Sequence, residues 1–159
     1  MKIAYADPPY IGEAKRHYNT EEVNHRELIT HLVRYDGWAL SCSSPSLKSL
    51  VPMVNEVTSD YRIGVWVKPF CSFKPNVNPA YAWEPVIFKP ARSGSRDIPT
   101  VRDWVSANIT LKKGLVGVKP QAFSYWLFDV LGALPSDEFI DMFPGTGAVS
   151  MAWDVWSKK

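Results

Sequence analysis

Apolar and polar positions change period several times along this chain, and each change marks an element. Lys2–Ala6 is a short, mostly apolar run that stops at Asp7-Pro8-Pro9-Tyr10. Proline holds the residue before it in extended geometry, so the run reads as a strand feeding a rigid loop. Thr20–Arg34 has helical spacing through Val23, Leu28, Ile29, Leu32 and Val33, with Thr20 as N-cap and acids at 21 and 22 in the first turn. Gly37–Ser41 predicts a second strand. Ser46–Ser59 repeats the helical pattern through Leu47, Leu50, Val51, Val54 and Val57, with Pro52 placed in its first turn or at a kink. Tyr61–Val67 alternates as a third strand closed by Pro69, and Trp83–Lys89 predicts a fourth. Ala91–Gly117 is polar and aperiodic, which predicts a variable, mobile loop. Gln121–Leu134 is an apolar helix, Glu138–Met142 a fifth strand and Ala148–Trp156 a last helix. Strands alternating with helices predict a single α/β domain over 1–159, its sheet covered by helices on both faces.

Composition narrows the class. The chain has 159 residues, of which 46% are hydrophobic and 21% charged, which fits one packed domain and excludes a disordered chain. Cys42 and Cys71 are too few for a disulfide scaffold, and neither has zinc-ligand spacing around it. No apolar run approaches the ~20 residues of a membrane span. Lys2–Ala6 is too short for the apolar stretch of a signal peptide. A cytoplasmic setting is expected, the host cytoplasm if the chain is phage-encoded.

The net charge of +2 hides an uneven distribution. Residues 1–60 carry −2, residues 61–120 carry +7 and residues 121–159 carry −3. The basic third interleaves Lys68, Arg92, Arg96 and Lys119 with Trp66, Phe70, Phe73, Tyr81, Trp83 and Trp104. Basic side chains attract phosphates and aromatic faces stack on bases, so nucleic acid is the expected partner. A solvated basic loop with its aromatics in the core is the alternative.

Two motifs carry chemistry. In Asp7-Pro8-Pro9-Tyr10, at the end of a strand, Asp7 offers an acceptor carboxylate, the prolines stiffen the backbone and Tyr10 offers a flat ring. That set suits an exocyclic amine on a flat heterocycle. A proline-stiffened turn without chemistry is the alternative. In Asp141-Met142-Phe143-Pro144-Gly145-Thr146-Gly147, a strand meets a glycine turn and a helix start, which suits close approach of a polar ligand. The turn lacks the third glycine of a dinucleotide site and the Gly-Lys-Ser/Thr of a phosphate loop.

Together the motifs resemble the S-adenosylmethionine-dependent amino-methyltransferases, which move a methyl group to a base amine. Asp7 to Tyr10 looks like their catalytic motif and Asp141 to Gly147 like their cofactor motif. Lys119-Pro120-Gln121-Ala122-Phe123 looks like the Lys-Pro segment beside the cofactor, and Trp83-Glu84-Pro85-Val86-Ile87-Phe88 like the element of an acid followed by an apolar strand. The motif order is that of the permuted beta subgroup, and short phage DNA adenine methylases share this look. The resemblance implies a Rossmann-like methyltransferase fold with a mixed sheet, S-adenosylmethionine as cofactor, and direct in-line transfer. It implies catalysis by Asp7, Pro8, Pro9 and Tyr10. It implies cofactor contacts from Asp7, Lys119, Pro120, Gln121, Phe123, Asp141, Phe143, Gly145, Thr146 and Gly147. Aspartate in the first motif position leans toward adenine N6 in DNA over cytosine N4. Arg16, Tyr18, Lys68, Arg92 and Arg96 are expected to touch the nucleic acid.

The family carries two further strands after the glycine turn, one with an acid for the cofactor ribose. Ala148–Lys159 does not hold them, and its one acid, Asp154, falls inside the expected helix. About five strands and an incomplete adenosine pocket are therefore expected, with a second subunit as one way to complete it. The same chemistry on RNA, or a degenerate fold that binds nucleic acid without catalysis, are the rival readings. His17, His25 and His31 have no metal spacing and read as surface positions. Trp126, Trp153 and Trp156 read as core or interface.

Overall fold

A computed structural model describes residues 1–12, 22–71, 73–94, 100–110 and 118–158. Its strands are β1 (Lys2–Ala6), β2 (Gly37–Ser41), β3 (Arg62–Val67), β4 (Trp83–Lys89), β5 (Trp104–Ser106) and β6 (Glu138–Asp141). They form one mixed sheet in the order β5-β3-β4-β2-β1-β6. β1 runs parallel to β2 and β6, β4 runs antiparallel to β2 and β3, and β5 runs parallel to β3. The helices are α1 (His25–Leu32), α2 (Leu47–Asn55), α3 (Gln121–Val130) and α4 (Ala148–Trp156), with a short 3-10 turn at Ser44–Ser46. The architecture is α/β and Rossmann-like. Among the described residues no helix is long and apolar enough to cross a membrane.

The period-two alternation of the strands sorts two cores. Ile3, Tyr5, Ala39, Trp66, Val86 and Phe88 face α3 and α4, where Phe123, Leu127, Phe128 and Val149 receive them. Ala4, Ala6, Trp38, Leu40 and Ile87 face α1 and α2, against Ile29, Leu32, Leu50 and Val54. Because both faces of the central strands are covered, β1 and β2 are buried almost throughout and read as apolar runs. Trp126 is buried, while Trp153 and Trp156 are partly buried and ring Phe128 at 5.1 and 5.4 Å.

Several boundaries differ from the sequence pattern. The sheet has six strands among the described residues, not five. The extra one, β5, lies inside the expected loop 91–117 and extends β3 at the outer edge; residues 95–99 and 111–117 fall outside the described residues. α1 starts at His25 rather than after Thr20, itself outside the described residues, because Asn24 caps it and accepts from the Glu27 amide at 3.2 Å. His25 is consequently buried in the first turn, with its ring against the Val23 carbonyl at 2.9 Å, whereas His31 is exposed and His17 lies outside the described residues. Pro52 sits past the first turn of α2. α3 ends at Val130, short of Leu134, because Gly132 takes a φ of 62° and turns the chain back to the Phe128 carbonyl.

Candidate active site

β1, β2, β3, β5 and β6 all end at one edge of the sheet, and β4 begins there. β1 lies between β2, which follows it in the chain, and β6, which comes last. The crevice outside the ends of β1 and β6 is thus the topological switch point, where open α/β sheets bind ligands. Tyr5 pairs with Asp141, and the Met142 amide donates to the Tyr5 carbonyl at 2.9 Å. The loop Asp7–Tyr10 and the turn Asp141–Gly147 therefore leave adjacent strands side by side.

A chain of buried charges crosses this edge. The Lys119 ammonium bonds Asp7 Oδ2 at 3.1 Å and Glu84 Oε2 at 3.0 Å, and Lys68 bonds Glu84 Oε1. The Lys119 side chain is only 5% exposed, against 22% for Asp7 and 15% for Glu84. Lys119 is positioned by the extended Pro120 that opens α3, Glu84 by the second position of β4, and Lys68 by the end of β3. Aromatic rings floor the cluster. The two ammoniums lie 4.8 and 5.5 Å from the Trp66 ring centre, and Lys119 lies 5.7 Å from that of Phe123. Beneath them the Tyr5 hydroxyl shares a hydrogen bond with Ser41 Oγ at 2.8 Å.

Burial pushes the Asp7 carboxyl up. Lys119 pulls it down, Glu84 and Asp141 push it further up, and the net value lies above the usual range. Burial would likewise raise Glu84, but Lys119 and Lys68 together outweigh it and hold the carboxyl below its ordinary value. Burial would lower Lys119, yet Asp7, Tyr10, Tyr5 and Glu84 hold it well above the ordinary lysine value, so it stays charged. Burial pushes the Tyr10 phenol well above its ordinary value; Lys119 opposes the rise, and the Glu84 and Asp7 carboxylates add to it. Nearby Cys42 is pushed up to about 12, chiefly by burial, which leaves it a protonated thiol at neutral pH.

The glycine turn has its own clamp. Asp141 accepts from Ser150 Oγ at 2.9 Å through one oxygen and from the Phe143 amide at 3.3 Å through the other. Burial raises its pKa and these two bonds oppose the rise. Gly145 and Gly147 take φ of 49° and 75°, so backbone shape requires glycine there. A Cβ on Gly147 would meet nothing within 4 Å, so that side of the turn is open.

The other expected site residues scatter. Gln121 is exposed at the start of α3 and donates to the Tyr125 hydroxyl at 3.0 Å, while Phe123 is fully buried beneath the cluster. Arg92 is carried to the opposite edge by the antiparallel β4, where Asp137 binds it through both carboxylate oxygens at 2.6 and 2.7 Å. Arg16, Tyr18 and Arg96 lie outside the described residues. Five basic residues of the middle third bond groups of this chain: Arg62, Lys68, Arg92 and Lys119 bond carboxylates, and Lys89 bonds the Asp36 carbonyl. Phe70, Phe73, Tyr81 and Trp83 are exposed around the site edge, Phe73 by 84%. Sequence reasoning quoted Glu84 only as part of a strand; its signal was an acid at the head of an otherwise apolar run.

Among solved structures the chain matches the complex of M1.HpyAVI with SAM, with a TM-score of 0.64 and 17% identity over 98% of this chain and 78% of that one. It also matches a second structure of M1.HpyAVI, with a TM-score of 0.62 and 15% identity over 98% of this chain and 76% of that one. The chain shares the fold of M1.HpyAVI. No protein-family model and no curated protein matches the sequence.

Proposed function

We propose that this chain is a methyltransferase that uses S-adenosylmethionine to methylate the exocyclic amine of a nucleobase, adenine N6 in DNA. The observation that carries this is the adjacency of the Asp7–Tyr10 loop and the Asp141–Gly147 turn on paired strands at the switch point. The likeness to a fold solved with SAM bound supports the cofactor.

The residues at the glycine turn fit the methionyl end of that group. Gly145 and Thr146 are exposed, the Gly147 side of the turn is open, and the first amides of the nine-residue α4 suit the carboxylate of its methionyl end. When bound, S-adenosylmethionine supplies a methyl group on an electrophilic sulfonium. The chain supplies orientation and electrostatics. Asp7 and the Pro8 carbonyl accept hydrogen bonds from the amine and turn its lone pair toward the methyl. Tyr10, half-buried, stacks on the base. Methylation of the amine would leave its nitrogen with a proton to shed. The raised pKa of Asp7 suits that carboxylate to take it and pass it to water. The exposed aromatics of the site edge add stacking surface for flanking bases.

Calorimetric titration with S-adenosylmethionine, followed by tritiated-methyl transfer to duplex DNA, single-stranded DNA and RNA, tests this. Saturable binding that Gly147→Trp abolishes is expected, with label in adenine N6 of DNA and none from Asp7→Ala. Salt-sensitive nucleic-acid binding without cofactor binding would instead favour a non-catalytic role.

A further inference from the structure

We propose that Glu84 is a positioning residue for the Asp7–Tyr10 loop: its carboxylate restrains the Lys119 ammonium to one oxygen of Asp7. This rests on the reading of that loop as the amine-binding element. Glu84 has the placement for it. It stands directly opposite Trp66 in the β3–β4 pair, and the Trp66 indole N–H is fixed by the Ala107 carbonyl at 2.8 Å. The sheet register therefore sets Glu84, independently of the loop it restrains.

The argument is one of donors and acceptors. An ammonium has three N–H donors and turns them to the nearest carboxylate oxygens. Among the described residues Lys119 alone bonds the Asp7 carboxylate, and only through Oδ2; its other carboxylate partner is Glu84. Without the Glu84 charge, Lys119 keeps Asp7 as its single counterion and closes on both oxygens. The substrate amine then shares both Asp7 oxygens with the ammonium and no longer finds Oδ1 free of a competing donor. Lys68 occupies Glu84 Oε1 and fixes which Glu84 oxygen faces Lys119. The charged and titratable groups that face Asp7 are Lys119 ahead of α3, Glu84 on β4, Asp141 on β6, Tyr5 on β1, Cys42 just after β2 and Tyr10 on its own loop. Glu84 opposes ionisation of Asp7 and Lys119 favours it.

The test is a carbon-13 carboxyl NMR titration of Asp7 in the full chain, with Asp7→Asn to assign the signal. In Glu84→Gln, Asp7 is expected to titrate at lower pH than in the parent. Methyl transfer is expected to lose about tenfold or more in kcat, with affinity for S-adenosylmethionine retained. Lys68→Met leaves Glu84 charged and is expected to leave the Asp7 titration in place. If Glu84→Gln does not fold, Glu84→Asp is read instead: withdrawing the carboxylate by one methylene shifts Asp7 in the same direction by less. An Asp7 titration unchanged by Glu84→Gln, or moved as far by Lys68→Met, overturns the proposal. A parent protein that methylates no nucleic acid overturns the proposed function, while the Asp7 titration still decides the role of Glu84.

Discussion

Lys119→Met removes the one cation shared by two buried carboxylates, and the size of the effect follows from the geometry. At 3.1 and 3.0 Å each pair has a gross attraction of about 5 kcal/mol at an effective dielectric of about 20. Desolvation of three nearly buried groups offsets much of that. What remains after deletion is an Asp7 carboxylate stranded without a counterion, while Glu84 keeps Lys68; stranding a buried charge destabilises by about 3–5 kcal/mol. For a chain of 159 residues this corresponds to a fall in Tm of about 10 °C.

The pH dependence separates this account from simple loss of packing. Without Lys119 the Asp7 carboxyl, already raised by burial, rises further, and Glu84 loses one of its two depressing cations. A carboxyl whose folded pKa exceeds its unfolded value destabilises most above the folded pKa, and the penalty fades as pH falls through it. Urea denaturation of parent and variant at pH 8 and pH 5 is therefore expected to show a large difference at pH 8 and a smaller one at pH 5. An equal difference at both values would refute the buried-charge reasoning and leave a packing defect.

Asp137 is bound by Arg92, by the Met1 ammonium at 2.8 Å and by the Leu134 amide at 2.7 Å, and these hold its carboxyl well below the usual range. Its stabilisation is present above the unfolded pKa of about 4 and is lost as pH falls through the lower folded value. Asp137→Asn should cost about 3 kcal/mol in urea at pH 7 and flatten the acid limb below about pH 4. Gly37→Ala should cost about 1–3 kcal/mol by thermal melting, since its Cβ would fall 2.7 Å from the Ala91 backbone nitrogen; an unchanged Tm would contradict the close approach of Gly37 to Ala91. Ser150→Ala should raise the Asp141 pKa, cost about 1 kcal/mol and weaken S-adenosylmethionine binding in calorimetry.

The strands legible in the sequence were those whose pattern comes from burial. Lys2–Ala6, Gly37–Ser41 and Trp83–Lys89 match the observed strands residue for residue because sheet and helix layers bury them from both sides. β5 was illegible because three residues carry no period; pairing with β3 and the Val65 amide bond to the Asp103 carbonyl define it. The start of α1 was misread because several polar residues compete there as caps, and the choice among them is tertiary. Both loop motifs were visible because proline and glycine constrain the backbone locally. The basic third shows a different limit: formal charge counts residues, whereas field depends on partners, and Arg62, Lys89 and Arg92 have theirs at the far edge of the sheet.

The cluster of Asp7, Lys119, Glu84 and Lys68 is difficult to explain as a stabilising device. Four charges above an aromatic floor carry a desolvation penalty of several kcal/mol each, and well-packed apolar residues of the same volume would be at least as stable. What the charges do provide is orientation. In a low-dielectric surround the Lys119 ammonium is pinned between Asp7 and Glu84, and Glu84 is pinned in return between Lys119 and Lys68. The same core face runs from Ile3 through Phe123 to Val149, and the buried ion pairs lie at the edge where the two motif loops meet. A fold that keeps costly ionised groups at its switch point, and shifts Asp7 and Lys119 away from their ordinary pKa values there, concentrates its electrostatics where a polar ligand has to be aligned.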